Sequence, residues 1–133
     1  MELYVGGRAQ GKLAYVKKIH EEENVTVVDG TEMVSFLKNQ KEMIPGRIIW
    51  NHFHQYVWDS LQQKPKEREE FLMQVLEYFP DVIVISDEVG SGIVPIKPEE
   101  REYRDETGRL LCILAQRAER MERVICQIGQ RIK

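Results

Sequence analysis

The stretch MELYVGGRAQGK, residues 1–12, places a short apolar strand directly before the pattern Gly6-x-x-x-x-Gly11-Lys12. In a phosphate-binding loop (P-loop), the backbone N–H groups of such a turn converge on phosphate oxygens, and the Lys ammonium reaches the outer phosphates. Apolar residues then recur at helical spacing, as the helix behind such a loop requires. The order of strand, glycine loop and helix predicts a phosphate site formed by Gly6, Gly7, Arg8, Ala9, Gln10, Gly11, Lys12 and Leu13.

The position after the lysine departs from this motif. Leu13 stands where a P-loop normally carries Ser or Thr, and the hydroxyl of that residue normally binds Mg²⁺. The loop predicts binding of ATP or GTP through its glycines and its lysine. Because the leucine side chain has no oxygen, the loop does not predict how Mg²⁺ would be bound. The alternative interpretation is a strand–turn–helix unit whose glycines only permit a tight turn.

Composition limits the classes of function. The chain has 133 residues, 42% of them hydrophobic and 31% charged, as expected for one globular domain over residues 1–133. Its net charge of −3 gives no general attraction to nucleic acid or to an anionic membrane. No apolar run approaches the ~20 residues of a membrane span, and the N-terminus is unlike a signal peptide. We therefore expect a cytoplasmic protein, with Cys112 and Cys126 as reduced core residues.

Strand and helix patterns alternate along the chain, which favours a mainly parallel sheet flanked by helices. Apolar and β-branched runs predict strands, and the most apolar of them, residues 82–85, belongs in the middle of the sheet. The predicted strands are residues 3–5, 24–28, 47–50, 82–85 and 123–128. Helical spacing predicts helices over residues 13–19, 31–39, 52–61, 64–79 and 98–122, the last with a break or a cap near Gly108.

Three further blocks of sequence carry a resemblance to a known family. In chain order they are Glu88-Val89-Gly90-x-Gly92-Ile93-Val94-Pro95, Arg101-x-Tyr103-Arg104-Asp105-x-x-Gly108-Arg109 and Ile128-Gly129-x-x-Ile132-Lys133. Together with the P-loop they resemble the adenosylcobinamide kinase/adenosylcobinamide-phosphate guanylyltransferase family. The resemblance implies a RecA-like P-loop fold, a homo-oligomer, and a transferase of cobalamin biosynthesis that acts on a corrinoid. Members of this family phosphorylate a hydroxyl of adenosylcobinamide and then transfer GMP from GTP through a guanylylated histidine.

The chain departs from the family pattern where metal and nucleotide would be anchored. Leu13 replaces the P-loop hydroxyl, and Asn51 replaces the aspartate that ends the family's next strand. The nucleotide-accepting histidine should follow the second strand, yet residues 30–46 contain no histidine. We therefore expect guanylyltransfer to be lost, whereas adenosylcobinamide kinase activity is a hypothesis that the sequence leaves open. The alternative is a phosphate-ligand sensor or partner subunit that catalyses no reaction.

Acidic residues at the ends of predicted strands are the main candidates beside the P-loop, because ligands bind at that edge of an open α/β sheet. Glu88, from the most specific block, could orient a water or a substrate hydroxyl, which makes Glu88 and Lys12 the catalytic candidates. The alternative is that the acids only cap a turn. The candidate metal ligands are Asp87, Glu88 and Asn51, with Asp29 as replacement charge.

Histidines and arginines supply further candidates. His52 and His54 would both face a ligand if the backbone were extended, but would diverge on a helix. The alternative is a half-buried aromatic cluster with neighbouring residues, namely Phe53, Tyr56 and Trp58. Three arginines of the second family block either contact phosphate or a neighbouring subunit, or form a solvated face with Glu partners: Arg101, Arg104 and Arg109.

Overall fold

The computed structural model of the chain describes residues 1–40, 46–90 and 97–133. Within these ranges, the strands are β1 (Glu2–Gly6), β2 (Val25–Asp29), β3 (Arg47–Asn51), β4 (Ile83–Asp87), β5 (Arg120–Ile125) and β6 (Ile128–Arg131). The helices are α1 (Lys12–Ile19), α2 (Glu32–Lys38), α3 (Phe53–Asp59), α4 (Pro65–Tyr78) and α5 (Pro98–Arg117). Residues 91–95, which complete the family block that begins at Glu88, lie outside the described residues.

The strands form one sheet in the order β2-β3-β4-β1-β5-β6. β2, β3, β4, β1 and β5 run parallel, and β6 pairs antiparallel with β5. The predicted α/β fold with a mainly parallel sheet is confirmed, and β4 lies between β1 and β3 as in a RecA-like fold. The register pairs Gly6 with Asp87 and Asp29 with Asn51. The carboxyl ends of four parallel strands therefore meet at one edge of the sheet.

The core has one layer on each face of the sheet. On one face, side chains such as Leu3 and Val84 pack against α2, α3, α4 and α5. On the other face, Tyr4 and Ile85 pack with Val16 of α1. Because both faces are covered, β1 and β4 are apolar without alternation, which confirms the prediction that residues 82–85 lie in a central strand.

The C-terminal region differs from the prediction. The sequence pattern predicts a helix to residue 122 and one strand over residues 123–128, but α5 ends at Arg117 and β5 and β6 form a hairpin. The turn consists of Cys126 and Gln127, which have φ of 48° and 61°. Two-residue hairpin turns with positive φ usually contain Asn or Gly, so this turn gives no sequence signal. The predicted break near Gly108 is also wrong, because α5 continues through that residue.

The cysteines lie at the surface, so the prediction that they are core residues is wrong. Cys112 is exposed on α5, whose buried face carries Leu110 and Leu114. Cys126 is exposed in the hairpin turn. Ile19, which the helical spacing places with the packing residues of α1, is 42% exposed. In the part of the chain that the structure describes, no helix has the length and apolar character needed to cross a membrane.

Arg68 ties three helices together inside the protein. Its side chain is fully buried, and its Nη1 donates to the carbonyl oxygens of Ser60 at 2.6 Å and Gln63 at 2.7 Å, at and beyond the end of α3. Its Nη2 lies 3.6 Å from Oε2 of Glu106 on α5. A cation is favourable at the C-terminal end of a helix, where carbonyl groups lack helical partners. Arg68 therefore holds α3, the helix that carries His54, against α4 and α5.

Replacing Arg68 with methionine should lower the free energy of unfolding by about 3 kcal/mol, because buried carbonyl oxygens and the Glu106 carboxylate lose a partner. The control is Lys66→Met at an exposed position of α4, which should change it by less than about 0.5 kcal/mol. Urea unfolding followed by circular dichroism measures both. Equal unfolding midpoints for the two variants would contradict the role assigned to Arg68.

Candidate phosphate-binding site

A cavity of about 780 Å³ opens at the carboxyl edge of the sheet. This is the edge where ligands bind in open α/β sheets, because the loops that leave parallel strands diverge there. The lining residues come from the P-loop, from α1, from the ends of β3 and β4 and from the start of α3: Arg8, Ala9, Gln10, Gly11, Lys12, Leu13, Ala14, Asn51, His52, His54, Gln55, Ile85 and Asp87. The structure thus brings most of the predicted P-loop residues to one cavity with two of the three metal candidates.

The P-loop turns tightly between β1 and α1. Ala9 and Gly11 have positive φ, 57° and 74°, and Gly11 directly precedes α1. A Cβ at Gly6 would lie 2.3 Å from the carbonyl oxygen of Val124 on β5, so glycine is what allows the loop to leave β1 beside β5. A turn of this kind before a helix N-terminus presents backbone N–H groups to an anion.

The Lys12 ammonium group is held between a carbonyl and a carboxylate. Its Nζ donates to the carbonyl oxygen of Gly7 at 2.7 Å and lies 2.7 Å from Oδ1 of Asp87. The Lys12 side chain is only 8% exposed, and charge pairs are stronger where water is excluded. An incoming phosphate must therefore compete with the Asp87 carboxylate for Lys12.

His54 contacts Asp87 through both ring nitrogens. The backbone N–H of Asp87 donates to Nδ1 at 3.0 Å, and Nε2 lies 3.4 Å from Oδ2 of the same residue. Because Nδ1 accepts a hydrogen bond, the proton of the neutral ring is on Nε2 and faces the carboxylate. Burial is the main cause that lowers the pKa of His54 below its ordinary value of 6.5, and the charges of His52 and Lys12 lower it further against the opposing charge of Asp87. His54 therefore lies beside Asp87 as a neutral ring that accepts a hydrogen bond from the Asp87 backbone N–H.

Asp29, Asn51 and His52 form a second polar group where β2 and β3 end. Nδ2 of Asn51 donates to Oδ1 of Asp29 at 2.9 Å, and Nδ1 of His52 lies 2.9 Å from the same oxygen. Nδ2 of Asn51 is also 3.3 Å from Nδ1 of His52. When Nδ2 of Asn51 and Nδ1 of His52 both donate, Asp29 accepts two hydrogen bonds. These bonds hold the ends of β2 and β3 together.

Both histidines lie at the cavity, so the interpretation of an aromatic cluster that includes them is wrong. His52 has φ of 53° and directly precedes α3, which lets it face the same space as His54, with ring centroids 5.6 Å apart. Phe53 and Tyr56 instead pack against Trp50 in the core. The left-handed conformation at His52 is the local feature that the sequence pattern does not reveal.

Mg²⁺ is the ion that a P-loop fold implies, and this arrangement of side chains does not fit it. Leu13 has no side-chain oxygen, Asn51 directs its amide nitrogen at Asp29, and Asp87 is paired with Lys12. Across residues 1–40, 46–90 and 97–133, no group of three or more His, Cys, Asp or Glu side chains is arranged to hold a metal ion. The candidate metal ligands are therefore not assembled into a ligand set.

Glu88 contacts β5 instead of lining the cavity. Its carboxylate lies 3.0 Å from Nε of Arg123 and accepts a hydrogen bond from Nη2 of that residue at 3.2 Å. Its backbone N–H donates to the carbonyl oxygen of Gly6 at 2.8 Å. Among the described lining residues, Asp87 supplies the carboxylate. A catalytic role for Glu88 stays a prediction.

The arginines of the second family block lie on α5. Arg109 donates to the Glu69 carboxylate at 2.7 Å and to Glu106, and so bridges α4 and α5. Arg104 pairs with Asp105 at 3.1 Å, and Arg101 is exposed. The contacts of Arg109 agree with the interpretation of Glu partners, whereas the partner of Arg104 is an aspartate.

Ala14, Gln55 and Ile85 line the cavity without having been indicated by the sequence. Ile85 precedes Ser86 in β4, and a strand neighbouring the P-loop strand necessarily contributes its last residues to this edge. Gln55 lies in the first turn of α3 beside His54. The position of Gln55 shortly after the end of β3 could have indicated it, because residues that follow a strand at this edge border the ligand space.

Comparison with known proteins identifies the family. The sequence profile of the cobinamide kinase / cobinamide phosphate guanyltransferase family matches residues 8–132. The chain belongs to this family. The bifunctional adenosylcobalamin biosynthesis protein CobP of Pseudomonas aeruginosa is 33% identical to it over 75 residues, which are 56% of this chain and 43% of that protein. The matched stretch thus covers less than half the length of this curated relative, and the resemblance based on the sequence blocks is confirmed.

In this member of the cobinamide kinase family, Asp87→Asn should strengthen binding of a phosphate ligand, because the change removes the anion that competes for Lys12. We expect inorganic tripolyphosphate to bind about tenfold more tightly, or by ~1.4 kcal/mol. Calorimetric titration without divalent metal measures the change. Asp81→Asn, at an exposed position, is the control and should bind like the unaltered chain. Weaker binding by Asp87→Asn would contradict the competition.

Proposed function

We propose that this chain binds the phosphates of ATP or GTP in the cavity at the carboxyl edge of the sheet, as a nucleotide-binding domain that serves cobalamin biosynthesis. The observation that carries the proposal is the position of Lys12 and the P-loop around that cavity. Family membership supports a nucleotide as the ligand class. The backbone of residues 6–12 would hold the phosphate oxygens, and Lys12 would neutralise their charge.

The activity we propose for the bound nucleotide is phosphoryl transfer to a hydroxyl of a corrinoid, with guanylyltransfer absent. The cavity extends beyond the P-loop to His52, His54 and Gln55, which leaves space for an acceptor beside the phosphates. When the phosphates bind Lys12, Asp87 can accept the proton of the acceptor hydroxyl. The acceptor oxygen then bonds to the terminal phosphorus as the nucleoside diphosphate leaves, with His54 beside Asp87. Residues 30–46 offer no histidine for a guanylylated intermediate.

A second candidate function is nucleotide binding without turnover, as a sensor or partner subunit. Leu13 and Asn51 favour it, because one position lacks an oxygen and the other has its amide committed to Asp29. Phosphoryl transfer by P-loop enzymes depends on charge neutralisation between the outer phosphates. A site that keeps the phosphate loop and loses those two ligands retains affinity more readily than catalysis.

Replacing Lys12 with alanine should weaken binding of ATP and GTP about 30-fold or more, because a charge-assisted hydrogen bond in a buried site contributes ~2 kcal/mol. Isothermal titration calorimetry with each nucleotide, with and without Mg²⁺, measures the loss. Lys17→Ala, at an exposed position of α1, is the matched control. If Lys12→Ala binds every nucleotide as the unaltered chain does, the P-loop is not the binding site.

The double change Leu13→Ser with Asn51→Asp separates the two candidate functions. Serine supplies the missing hydroxyl and aspartate supplies charge for a hard cation, so Mg²⁺ should raise ATP affinity about tenfold in this variant. The same variant titrated without Mg²⁺ is the control, and ATP consumption with cobinamide present is the second readout. Turnover that rises with the double change supports a weakened kinase. Absence of any Mg²⁺-dependent gain counts against the kinase and favours the site without turnover.

A further inference from the structure

The turn between β5 and β6 is bonded directly to the P-loop. The backbone N–H of Cys126 donates to Oε1 of Gln10 at 2.8 Å, and the backbone N–H of Gln127 donates to the carbonyl oxygen of Gln10 at 2.9 Å. The thiol of Cys126 also donates to Oε1 of Gln10, at 3.4 Å. Gln10 thus accepts three hydrogen bonds from the turn, two on its side chain and one on its backbone. A Cβ at Gly11 would lie 2.3 Å from Cγ of Gln127, so the turn also packs closely on the last glycine of the P-loop.

The conformation of the turn is one that its residues seldom adopt. Cys126 and Gln127 both have left-handed backbones, with φ of 48° and 61°. Such conformations persist where surrounding contacts hold them, and they tend to occur at functional sites. Here the result is that two consecutive N–H groups face the same residue, Gln10.

The rest of the hairpin is fixed on both sides of the P-loop. On β6, a Cβ at Gly129 would lie 2.1 Å from Oη of Tyr15 on α1. Oη of Tyr15 donates to Oε1 of Glu122 on β5 at 2.6 Å. At the start of the loop, a Cβ at Gly6 would lie 2.3 Å from the carbonyl oxygen of Val124 on β5. The hairpin is therefore packed against the strand before the P-loop and against the helix after it.

We propose that the Cys126–Gln127 turn is a positioning element for the P-loop and that it acts through Gln10. A trans peptide group directs its C=O and N–H in opposite directions. Because the Gln10 carbonyl is bonded to the turn, the N–H of Gly11 is directed away from the turn. Gln10 and Gly11 both line the cavity, so the turn sets the N–H group of Gly11 in the direction of a phosphate. The inference rests on the proposed phosphate-binding function of that cavity.

The first test compares Gln10→Ala with Gln130→Ala, the same change at an exposed position of β6. Gln10→Ala removes the acceptor of the Cys126 N–H, so affinity for inorganic tripolyphosphate should fall about 3- to 10-fold. The thermal unfolding midpoint should stay within about 2 °C, because the contact is at the surface of the loop. Gln130→Ala should bind like the unaltered chain. Equal affinity for the two variants would overturn the proposal.

The second test changes the turn and leaves the P-loop sequence intact. Valine disfavours positive φ whereas asparagine tolerates it, so Cys126→Val should weaken tripolyphosphate binding about 3- to 10-fold and Cys126→Asn should not weaken it. Cys126 is not among the described residues that line the cavity, so an effect on affinity must be transmitted through the contacts of the turn with Gln10 and Gly11. Equal affinities for the valine and asparagine variants would overturn the proposal.

A readout without ligand distinguishes failure of this proposal from failure of the proposed function. Backbone amide hydrogen exchange of residues 6–13 should be faster in Gln10→Ala than in Gln130→Ala. Lack of tripolyphosphate binding by the unaltered chain would refute the phosphate site, and the exchange rates would still decide whether the turn orders the loop. Identical exchange in the two variants would overturn the positioning role whatever the ligand.

Discussion

The parallel pairing of β1 with β4 determines where all the chemistry of this chain lies. Its register sets Gly6 opposite Asp87, and the P-loop that begins at Gly6 returns Lys12 to within 2.7 Å of that carboxylate. A shift of one residue would exchange the faces of β4 and direct Asp87 away from the cavity. The register is fixed because both faces of the two strands are buried in separate core layers. Core packing thus positions the Lys12–Asp87 pair, whose two residues are far apart in the sequence.

Local sequence patterns predicted the parts of the fold in which local chemistry decides the structure. The P-loop depends on glycines within a few residues of one another, and the apolar run 82–85 has no stable position other than a strand covered on both faces. The hairpin of β5 and β6 was not predictable in the same way. Its turn has positive φ without Asn or Gly, and contacts to Gln10, Gly11 and Tyr15 from distant parts of the chain hold it. Tertiary contacts there override residue preference.

Some residues of the candidate site could be predicted from local sequence patterns, and others depend on tertiary structure. Residues 8–13 and Asp87, which line the cavity, were candidates from the sequence because the motif and the strand end are visible there. Glu88, chosen for the family block that it begins, lies against Arg123, whereas Asp87 reaches the cavity; alternation along a strand sends neighbouring side chains to opposite faces. His52 and His54 converge because His52 is left-handed, a backbone state that helical spacing does not encode. The half of the cavity contributed by β3 and α3 therefore required the three-dimensional structure.

The departures at Leu13 and Asn51 have a common electrostatic consequence. Asn51 is paired in register with Asp29, so an aspartate at position 51 would set two carboxylates side by side on neighbouring strands, which is unfavourable without a cation between them. Asparagine removes that repulsion by donating to Asp29 at 2.9 Å. The carboxylate of Asp29 lies at the end of the neighbouring strand β2, where Asn51 and His52 bind it. Position 13 supplies no hydroxyl, so Lys12 is the charged group beside the P-loop that an anion can bind. The Asp87 carboxylate already pairs with it, and an incoming phosphate would compete for it. If this site binds phosphate as proposed, release of Asp87 from Lys12 would control phosphate affinity more directly than a metal ion would.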